Sequence, residues 1–158
     1  MQQWKMNSIL GPLYLVASES GLRGIFFEKQ NAELIKDVKN NKILKSTHTQ
    51  LEEYFAGKRK SFDLPMDFEG TPFQKTVWKE LLRIPYGKTC SYKDVASKIK
   101  NQKAFRAVGT ANGKNPICII IPCHRVIAAD GTLGGYSGGL AIKKKLLKME
   151  NSLKDIIS

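Results

Sequence analysis

Residues 91–112, SYKDVASKIKNQKAFRAVGTAN, decide the fold of the second half of this chain. Ser91 and Asp94, three residues apart, form the pattern of a capping box, which predicts that a short helix begins here. The polar triplet KNQ interrupts that helix, and a second helix is predicted over residues 103–112. Two short helices joined by a tight turn are typical of a helix-turn-helix.

The two faces of the second helix differ in composition. Ala104, Val108 and Ala111 recur at helical spacing, so we expect this stripe of small residues to pack closely on the neighbouring helix. The opposite face carries two cations and a hydroxyl: Lys103, Arg106 and Thr110. A basic outward face favours nucleic-acid binding, although many solvated helices share this pattern.

The positive charge of the chain is concentrated in the same half. The 158 residues include 26 Lys and Arg against 14 Asp and Glu, a net charge of +12. Residues 1–66 hold 10 basic and 7 acidic residues, a net +3, whereas residues 67–158 hold 16 basic and 7 acidic residues, a net +9. This asymmetry favours a polyanionic partner, most often nucleic acid, although lysines that are merely solvated would give the same totals.

The stretch SFDLPMDFEGTP, residues 61–72, separates two predicted domains, residues 1–66 and residues 67–158. It is rich in Pro, Gly and Asp, and hydrophobic periodicity is lost across it. After this stretch, a helix is predicted to begin at Pro72 and to end before Pro85.

The first predicted domain combines strands and helices. GPLYLVASESGLRGIFFEK predicts two short strands around a turn at residues 19–21. AELIKDVKNNKIL, residues 32–44, and THTQLEEYFAG, residues 47–57, predict two short amphipathic helices, the second ended by Gly57. No cluster of catalytic residue types occurs in this domain, and His48 is expected to be a surface side chain.

An apolar run dominates NPICIIIPCHRVI, residues 115–127. Residues 117–121 are bulky and mostly β-branched, so they predict a buried extended segment. Cys118 within that segment is expected to be inert packing.

Cys123 differs from Cys118 because His124 and Arg125 follow it directly. A thiol attacks as its thiolate, and an adjacent imidazole or cation lowers the thiol pKa, so this triplet is a candidate nucleophilic site. A bare Cys-His dipeptide is nevertheless more often a buried cysteine beside a structural histidine. The choice depends on what else in the chain could complete a site.

Two later features could complete it. The loop GTLGGYSGG, residues 131–139, is not a phosphate-binding P-loop, but its glycines allow the backbone to approach a flat ligand closely. LAIKKKLLKME, residues 140–150, predicts a helix. Three residues are expected to form its buried face: Ile142, Leu146 and Met149. Glu150 lies at the edge of that face, where an inward carboxylate would need a partner, and His124 is the obvious candidate.

Cysteine use and hydropathy argue against several other classes of protein. The three cysteines are an odd number without C-x-x-C spacing, which indicates neither a disulfide framework nor a zinc site. The N-terminus has no apolar signal-peptide core, and no apolar run is long enough to span a membrane. We therefore expect reduced thiols in a cytoplasmic protein, with a nuclear location as the alternative.

Several motifs together resemble one known family. IPCHRVI with NP upstream, SYKDVA, RAVGTANGKNP, GGYSGGLAIK and LLKME agree in order and spacing with the O6-alkylguanine-DNA alkyltransferases. The resemblance is dense over residues 71–150 and weaker over residues 1–66. It implies an α+β fold, in which a small ribonuclease H-like α/β domain precedes a mainly helical domain with a winged-helix-like helix-turn-helix. The first domain would be structural, and the second would bind DNA and transfer the alkyl group.

The function implied by this resemblance is direct DNA repair. A methyl or larger alkyl group would pass from O6-alkylguanine, and from O4-alkylthymine, in duplex DNA to Cys123 after nucleotide flipping. The transfer would be irreversible, so each molecule of this methylated-DNA–protein-cysteine methyltransferase would act once. Double-stranded DNA is the implied partner of a monomer that needs no cofactor, no metal and no membrane.

The resemblance also implies catalytic roles. Cys123 would be the alkyl acceptor, His124 the base that activates it through a water, and Glu150 the carboxylate that orients His124. Asn115 would brace the active-site turn. Tyr92 would help to turn the nucleotide out and would donate a proton or hydrogen bond to the leaving guanine.

Further positions would bind DNA or line the substrate pocket. Arg106 would be an arginine finger that fills the hole in the base stack. Four other residues are expected to contact DNA: Lys103, Thr110, Arg125 and Ser91. Four residues are expected to line the pocket: Tyr136, Ser137, Val126 and Gly135.

Two alternatives belong to other classes. Non-catalytic lesion-binding proteins of the alkyltransferase-like kind replace the acceptor cysteine, so the presence of Cys123 argues against that role. A Cys-His hydrolase would turn over repeatedly and would not need a helix-turn-helix. Thr110 stands where many relatives carry a second glycine, and it could contact a phosphate or alter the fit to the groove.

Overall fold

A computed structural model describes residues 1–136 and 138–150, which form two compact units divided between Glu69 and Gly70. The division falls three residues later than the predicted domain boundary at residue 66. Asp67 explains the difference, because its backbone N–H donates to the carbonyl of Leu22 at 2.8 Å. Arg23 also pairs with Asp67 and Glu69, which attaches residues 67–69 to the first unit.

A four-stranded sheet in the order β3-β2-β1-β4 forms the first unit. The antiparallel β1–β2–β3 meander contains the predicted pair of strands, and β4 runs parallel to β1. The bounds of the four strands are β1 Gln2–Ser8, β2 Gly11–Ala17, β3 Leu22–Phe26 and β4 Glu33–Leu34. The sequence did not predict β1, because Gln3 occupies one of its buried positions. The amide of Gln3 is satisfied by the backbone of Gln30 and Ala32.

One long helix, α1 (Lys42–Phe55), covers this sheet. Gly57 follows its end with φ of 75°, as expected for a helix C-terminus. The predicted helix over residues 32–44 is wrong, because this segment contains β4 and the 3-10 turn Val38–Asn40, and only its last three residues are helical, in α1. Asp37 and Asn41 each accept a hydrogen bond from a backbone N–H two or three residues later, and these caps divide the segment.

Four helices build the described part of the second unit. Their bounds are α2 Pro72–Leu81, α3 Tyr92–Lys98, α4 Phe105–Gly113 and α5 Leu140–Met149. Capping boxes begin α2 and α3, as expected for α3 from Ser91 and Asp94. The α4 helix begins later than predicted, since a 3-10 turn precedes it. Trp78 donates to the carbonyl of Ala111 at 2.9 Å and holds α2 against α4.

Residues 117–121 are not a continuous extended segment as predicted, because residues 118–120 form turns. Ile119 adopts a φ of 76°, which is unusual for a β-branched residue. The side chain of Asn115 replaces the partners that a sheet would offer, because it accepts from Ile117 N–H at 3.0 Å and donates to Ile121 O at 2.7 Å. The chain then enters the short strand β6 (Val126–Ile127), which pairs in parallel with β5 (Cys90–Ser91).

No helix in residues 1–136 and 138–150 is long and apolar enough to cross a membrane.

Candidate active site

Cys123 begins a 3-10 turn, Cys123–Arg125, between the isoleucine turns and β6. Its backbone N–H donates to Ile121 O at 2.7 Å, and its carbonyl accepts from the amide of Asn112 at 3.3 Å. The amide of Asn115 also hydrogen-bonds to the Cys123 sulfur. Asn115 therefore contacts both the turn and the thiol.

The thiol of Cys123 is 2% exposed, and its environment opposes ionisation at rest. Burial raises its pKa to about 11, although the hydrogen bond from Asn115 and the charge of Lys143 act in the opposite direction. The sequence predicted a lowered thiol pKa, and that expectation is wrong for the resting protein. Cys123 is a thiol near neutral pH, so a base must remove its proton when it reacts.

His124 and Glu150 form a buried pair. His124 Nε2 lies 2.8 Å from Glu150 Oε2, and the two residues are 0% and 1% exposed. Burial lowers the pKa of His124, whereas for Glu150 the effect of burial is outweighed by hydrogen bonds from His124 and Arg125 that lower its pKa to about 2. An ionised carboxylate accepts, so the neutral imidazole carries its proton on Nε2. Nδ1 is then an acceptor, and no atom among the described residues hydrogen-bonds to it.

Arg125 lies in the interior, 6% exposed, and not on the surface that its predicted DNA contact requires. Its Nε and Nη2 donate to the two carboxylate oxygens of Glu150 at 2.8 and 3.1 Å, and Nη1 donates to Ile84 O at 2.7 Å. The planar fork of a guanidinium matches a carboxylate in this bidentate way. Arg125 therefore fixes Glu150, which in turn holds His124.

Lys143 is a fully buried cation that the sequence analysis missed. Its Nζ donates to the carbonyl of Val126 at 2.8 Å and to that of Gly135 at 3.1 Å, so it ties the glycine-rich loop to β6. Burial lowers its pKa to about 8, while the negative charge of Cys123 would raise it.

The spacing of α5 could have revealed Lys143. The predicted face through Ile142 and Met149 is only half-buried, and the stripe that faces inward is displaced by one residue. That stripe recurs at i, i+3, i+4 and i+7: Lys143, Leu146, Leu147 and Glu150. The inward position of Glu150 thus predicts that Lys143 is also buried.

Tyr92 is half-buried in the first turn of α3 and borders the same site. Burial and the charge of a Cys123 thiolate both raise its pKa, which places the two side chains within electrostatic reach. A Cβ atom at Gly134 would lie 2.9 Å from the Tyr92 hydroxyl oxygen, and Gly134 has φ of 70°. Glycine at position 134 is therefore required both by the backbone and by Tyr92.

The structure describes three of the four predicted pocket residues: Val126, Gly135 and Tyr136. Tyr136 lies close enough to Cys118 to act on the pKa of its thiol, so Cys118 faces the glycine-rich loop. Val126 and Gly135 contribute carbonyl groups held by Lys143, and the side chain of Val126 is completely buried. Ser137 lies outside the described residues.

Comparison with known proteins places this geometry in one family. Residues 72–152 match the model for the DNA binding domain of 6-O-methylguanine DNA methyltransferase, and residues 3–68 match that for its ribonuclease-like domain. The methylated-DNA–protein-cysteine methyltransferase of Methanosarcina barkeri is 50% identical over 150 residues, 93% of this chain and 95% of its own length. The chain belongs to the O6-alkylguanine-DNA alkyltransferase family.

Solved structures agree with that assignment. The Mycobacterium tuberculosis OGT, crystallised in complex with DNA, superposes with a TM-score of 0.88 at 42% identity, covering 96% of this chain and 94% of that one. An O6-methylguanine DNA methyltransferase from Methanococcus jannaschii has a TM-score of 0.69 at 29% identity, covering 93% and 92%. The predicted alkyltransferase fold is therefore confirmed, and the enzyme class is methylated-DNA–protein-cysteine methyltransferase.

In this alkyltransferase, the predicted DNA-contacting residues divide into two groups. Lys103, Arg106 and Thr110 are exposed together on one face of the helix-turn-helix, as expected. Arg125 is interior, and the Ser91 hydroxyl accepts from the N–H of Asp94 as the cap of α3.

An aromatic residue that the sequence analysis did not single out accompanies the exposed group. The ring of Phe105 lies beneath the Lys93 ammonium at 5.4 Å and the Arg106 guanidinium at 5.9 Å. The basic face of this alkyltransferase therefore includes an aromatic surface.

Proposed function

We propose that this protein repairs DNA directly by moving an alkyl group from O6 of guanine in duplex DNA to the sulfur of Cys123. The observation that carries the proposal is the buried Glu150–His124 pair next to a cysteine whose own pKa is too high for spontaneous ionisation. Family membership supports the same chemistry. O4-alkylthymine is proposed as a second substrate on the basis of resemblance alone.

The proposed reaction begins with proton transfer. Glu150 holds the Nε2 proton of His124, so Nδ1 accepts the Cys123 proton through a water. The thiolate attacks the alkyl carbon, a carbon–sulfur bond forms, and the bond from that carbon to O6 breaks with its electron pair leaving on guanine. Tyr92 donates a proton or hydrogen bond to the departing guanine. The thioether product has no good leaving group, so each molecule acts once.

Access to O6 requires the nucleotide to leave the base stack. Flipping costs a few kcal/mol, and less for a lesion that pairs poorly. Arg106, exposed on α4, is proposed to fill the resulting hole, while Lys103 and Thr110 contact phosphates. Asn115 braces the nucleophile, and Tyr136, Val126 and Gly135 border the base pocket.

The remaining proposals rest on the sequence. The protein is proposed to act as a monomer in the cytoplasm, with residues 67–158 performing DNA binding and transfer and residues 1–66 having a structural role. Arg125 is assigned to the carboxylate of Glu150 and not to DNA.

Mass spectrometry after incubation with a duplex containing O6-methylguanine tests the function. We expect one methyl group per chain, on the peptide that contains Cys123, and none in Cys123→Ser. Cys118→Ser is the matched control and should still be methylated. Methyl groups on Cys90 or Cys118, or many turnovers per chain, would contradict the mechanism. Repeated turnover would instead favour the Cys-His hydrolase.

A further inference from the structure

The described part of the second unit contains a cavity of about 390 Å³ that the proposed reaction does not use. The end of α2, the loop that follows it, β5 and the start of α3 line this cavity, and none of Cys123, His124 and Tyr92 does. Its size falls within the range of small-molecule sites. We name it the Glu80 cavity after its best-shielded carboxylate.

The charges of the Glu80 cavity are arranged by depth. The side chain of Glu80 is only 15% exposed, whereas that of its loose partner Arg83, 3.7 Å away, is 79% exposed. Asp94 adds a second carboxylate, of which Oδ2 accepts from Ser91 N–H. Lys98 lies on the exposed surface of α3. Glu80 is therefore the shielded charge of the cavity, whereas Asp94 and the three lining cations, Arg83, Lys88 and Lys98, are exposed.

The pKa of the Cys90 thiol indicates which charges dominate at its position in this cavity. Burial, Asp94 and Glu80 together raise the pKa of its thiol to about 11, against the weaker opposite effect of Lys98. The negative groups thus dominate at the half-buried sulfur, although basic residues are more numerous around the rim. Apolar surface comes from Ile84, Pro85 and Val95.

We propose that the Glu80 cavity binds a small organic cation, an ammonium or amidinium group carried on a short apolar body. The cationic group lies against Glu80 and Asp94, and the apolar body contacts Ile84, Pro85 and Val95. A metal ion fits less well, because the described residues contain no group of three or more metal-ligating side chains. An anion fits less well, because the shielded charge of the cavity is the carboxylate of Glu80 and the lining cations are exposed.

Two backbone links join this cavity to the Cys123 site. The carbonyl of Ile84, a lining residue, accepts from Arg125, which holds Glu150. Cys90 pairs with Val126 across β5 and β6, and the Val126 carbonyl is bound by Lys143. A bound cation should therefore change the rate of alkyl transfer, and this part of the inference rests on the proposed function. Binding itself does not.

Backbone-amide NMR of the full chain tests binding with three probes of similar shape: benzylamine, benzyl alcohol and phenylacetate. We expect benzylamine to shift the amide signals of Ile84, Cys90 and Val95 and to bind about tenfold more tightly than the alcohol, as for a hydrogen bond to a charged group. Glu80→Gln should remove that preference, whereas Asp130→Asn, at an exposed carboxylate that does not line the cavity, should keep it. Equal binding of amine and alcohol, or shifts confined to other residues, would overturn the proposal.

Disulfide exchange at Cys90 provides a second measurement that does not depend on Glu80→Gln folding. The Cys90 thiolate attacks a symmetrical disulfide, one half remains attached, and the other half leaves as a thiol. Cystamine, a dication, should label the Cys90 peptide faster than neutral hydroxyethyl disulfide, and anionic dithiodipropionate should be slowest. Faster labelling by the anionic reagent would contradict the proposal that negative charge dominates around Cys90.

The alkyl-transfer rate is then compared with and without saturating benzylamine. An unchanged rate would refute the coupling but not the binding. Loss of methyl transfer under all conditions would refute the proposed function and leave the NMR and labelling results intact.

Discussion

The interiors of the two units differ in the kind of polar group they bury. The first unit buries the neutral side chains of Gln3 and Thr47, both hydrogen-bonded to backbone. The second unit buries, beside the Cys123 thiol, a cluster of basic and acidic side chains: His124, Arg125, Lys143 and Glu150. Transfer of an ion from water costs several kcal/mol, and a buried pair rarely recovers more than that cost. The second interior is therefore organised for chemistry at the expense of stability.

The largest expected effect comes from the carboxylate of that cluster. Glu150→Gln should slow methyl transfer by roughly 10² or more, because His124 loses the anion that fixes its tautomer and stabilises its protonated form. Single-turnover measurements with methylated duplex give the rate, and titration with unmodified duplex should show nearly unchanged DNA affinity. A wild-type rate in Glu150→Gln would mean that the cluster is structural after all.

The next effect separates the exposed face of α4 from the buried cluster. Arg106→Ala and Arg106→Lys should both slow repair of duplex DNA, by roughly 10- to 100-fold if the arginine offsets a few kcal/mol of unstacking. Reaction with free O6-benzylguanine, which needs no flipping, should be nearly unaffected. Lys103→Ala is the matched control and should only reduce the salt dependence of binding by about one unit of slope. If the transfer rate fell equally with duplex DNA and with the free base, Arg106 would support the fold or the reactivity of the Cys123 thiol and not nucleotide flipping.

A smaller effect concerns the pH dependence of Lys143. Its pKa of about 8 means that its charge, which favours the Cys123 thiolate, is lost above that pH. The wild-type rate divided by the Lys143→Met rate should therefore be highest below pH 8 and fall towards one above it. The free energy of unfolding should instead rise between pH 8 and the ordinary lysine pKa. In that range Lys143 is protonated in the unfolded chain but largely deprotonated in the folded protein, so raising the pH favours the folded protein. A ratio independent of pH would exclude an electrostatic role.

The smallest effect on the rate is expected from the apolar interior of the first unit. Leu51→Ala, at a position that is 0% exposed, should lower the free energy of unfolding by about 2–5 kcal/mol. The rate constant of the folded fraction should be unchanged, because every group assigned to the reaction lies in the other unit. Denaturant unfolding and single-turnover kinetics on the same sample measure both quantities. If the rate constant of the folded fraction fell along with the free energy of unfolding, the interior of the first unit would also contribute to the reaction.

Patterns that depend on local chemistry were predictable from the sequence. The Ser91–Asp94 capping box, the outward basic face of α4 and the inward turn of Glu150 towards His124 each follow from spacing and residue type. The resemblance to the family added roles for individual residues, and these roles stay predictions.

The two wrong secondary-structure predictions have the same physical origin. In each, a polar side chain hydrogen-bonds to backbone groups that a regular helix or sheet would have paired with each other. Asp37 and Asn41 cap short turns within the predicted helix, and Asn115 replaces sheet partners around residues 117–121. Lys143 shows the reverse exchange. Lysine is normally a surface residue, but here backbone carbonyls accept hydrogen bonds from its buried ammonium group. The side-chain caps are not encoded in hydrophobic periodicity, whereas the burial of Lys143 follows from the spacing of α5 once Glu150 is placed on its inward face.

The pairing of β5 with β6 has a consequence for the order of folding. Cys90 meets Val126 only when the intervening chain, which includes α3 and α4, has closed into a loop. Loop closure costs entropy before the contact stabilises it, whereas α3 begins with its own capping box and can form from local interactions. Mutations in α3 and α4 should therefore alter the folding rate, and mutations around Cys123 mainly the unfolding rate. We therefore expect the exposed face of α4 to form early in folding and the centre around Cys123 to form last.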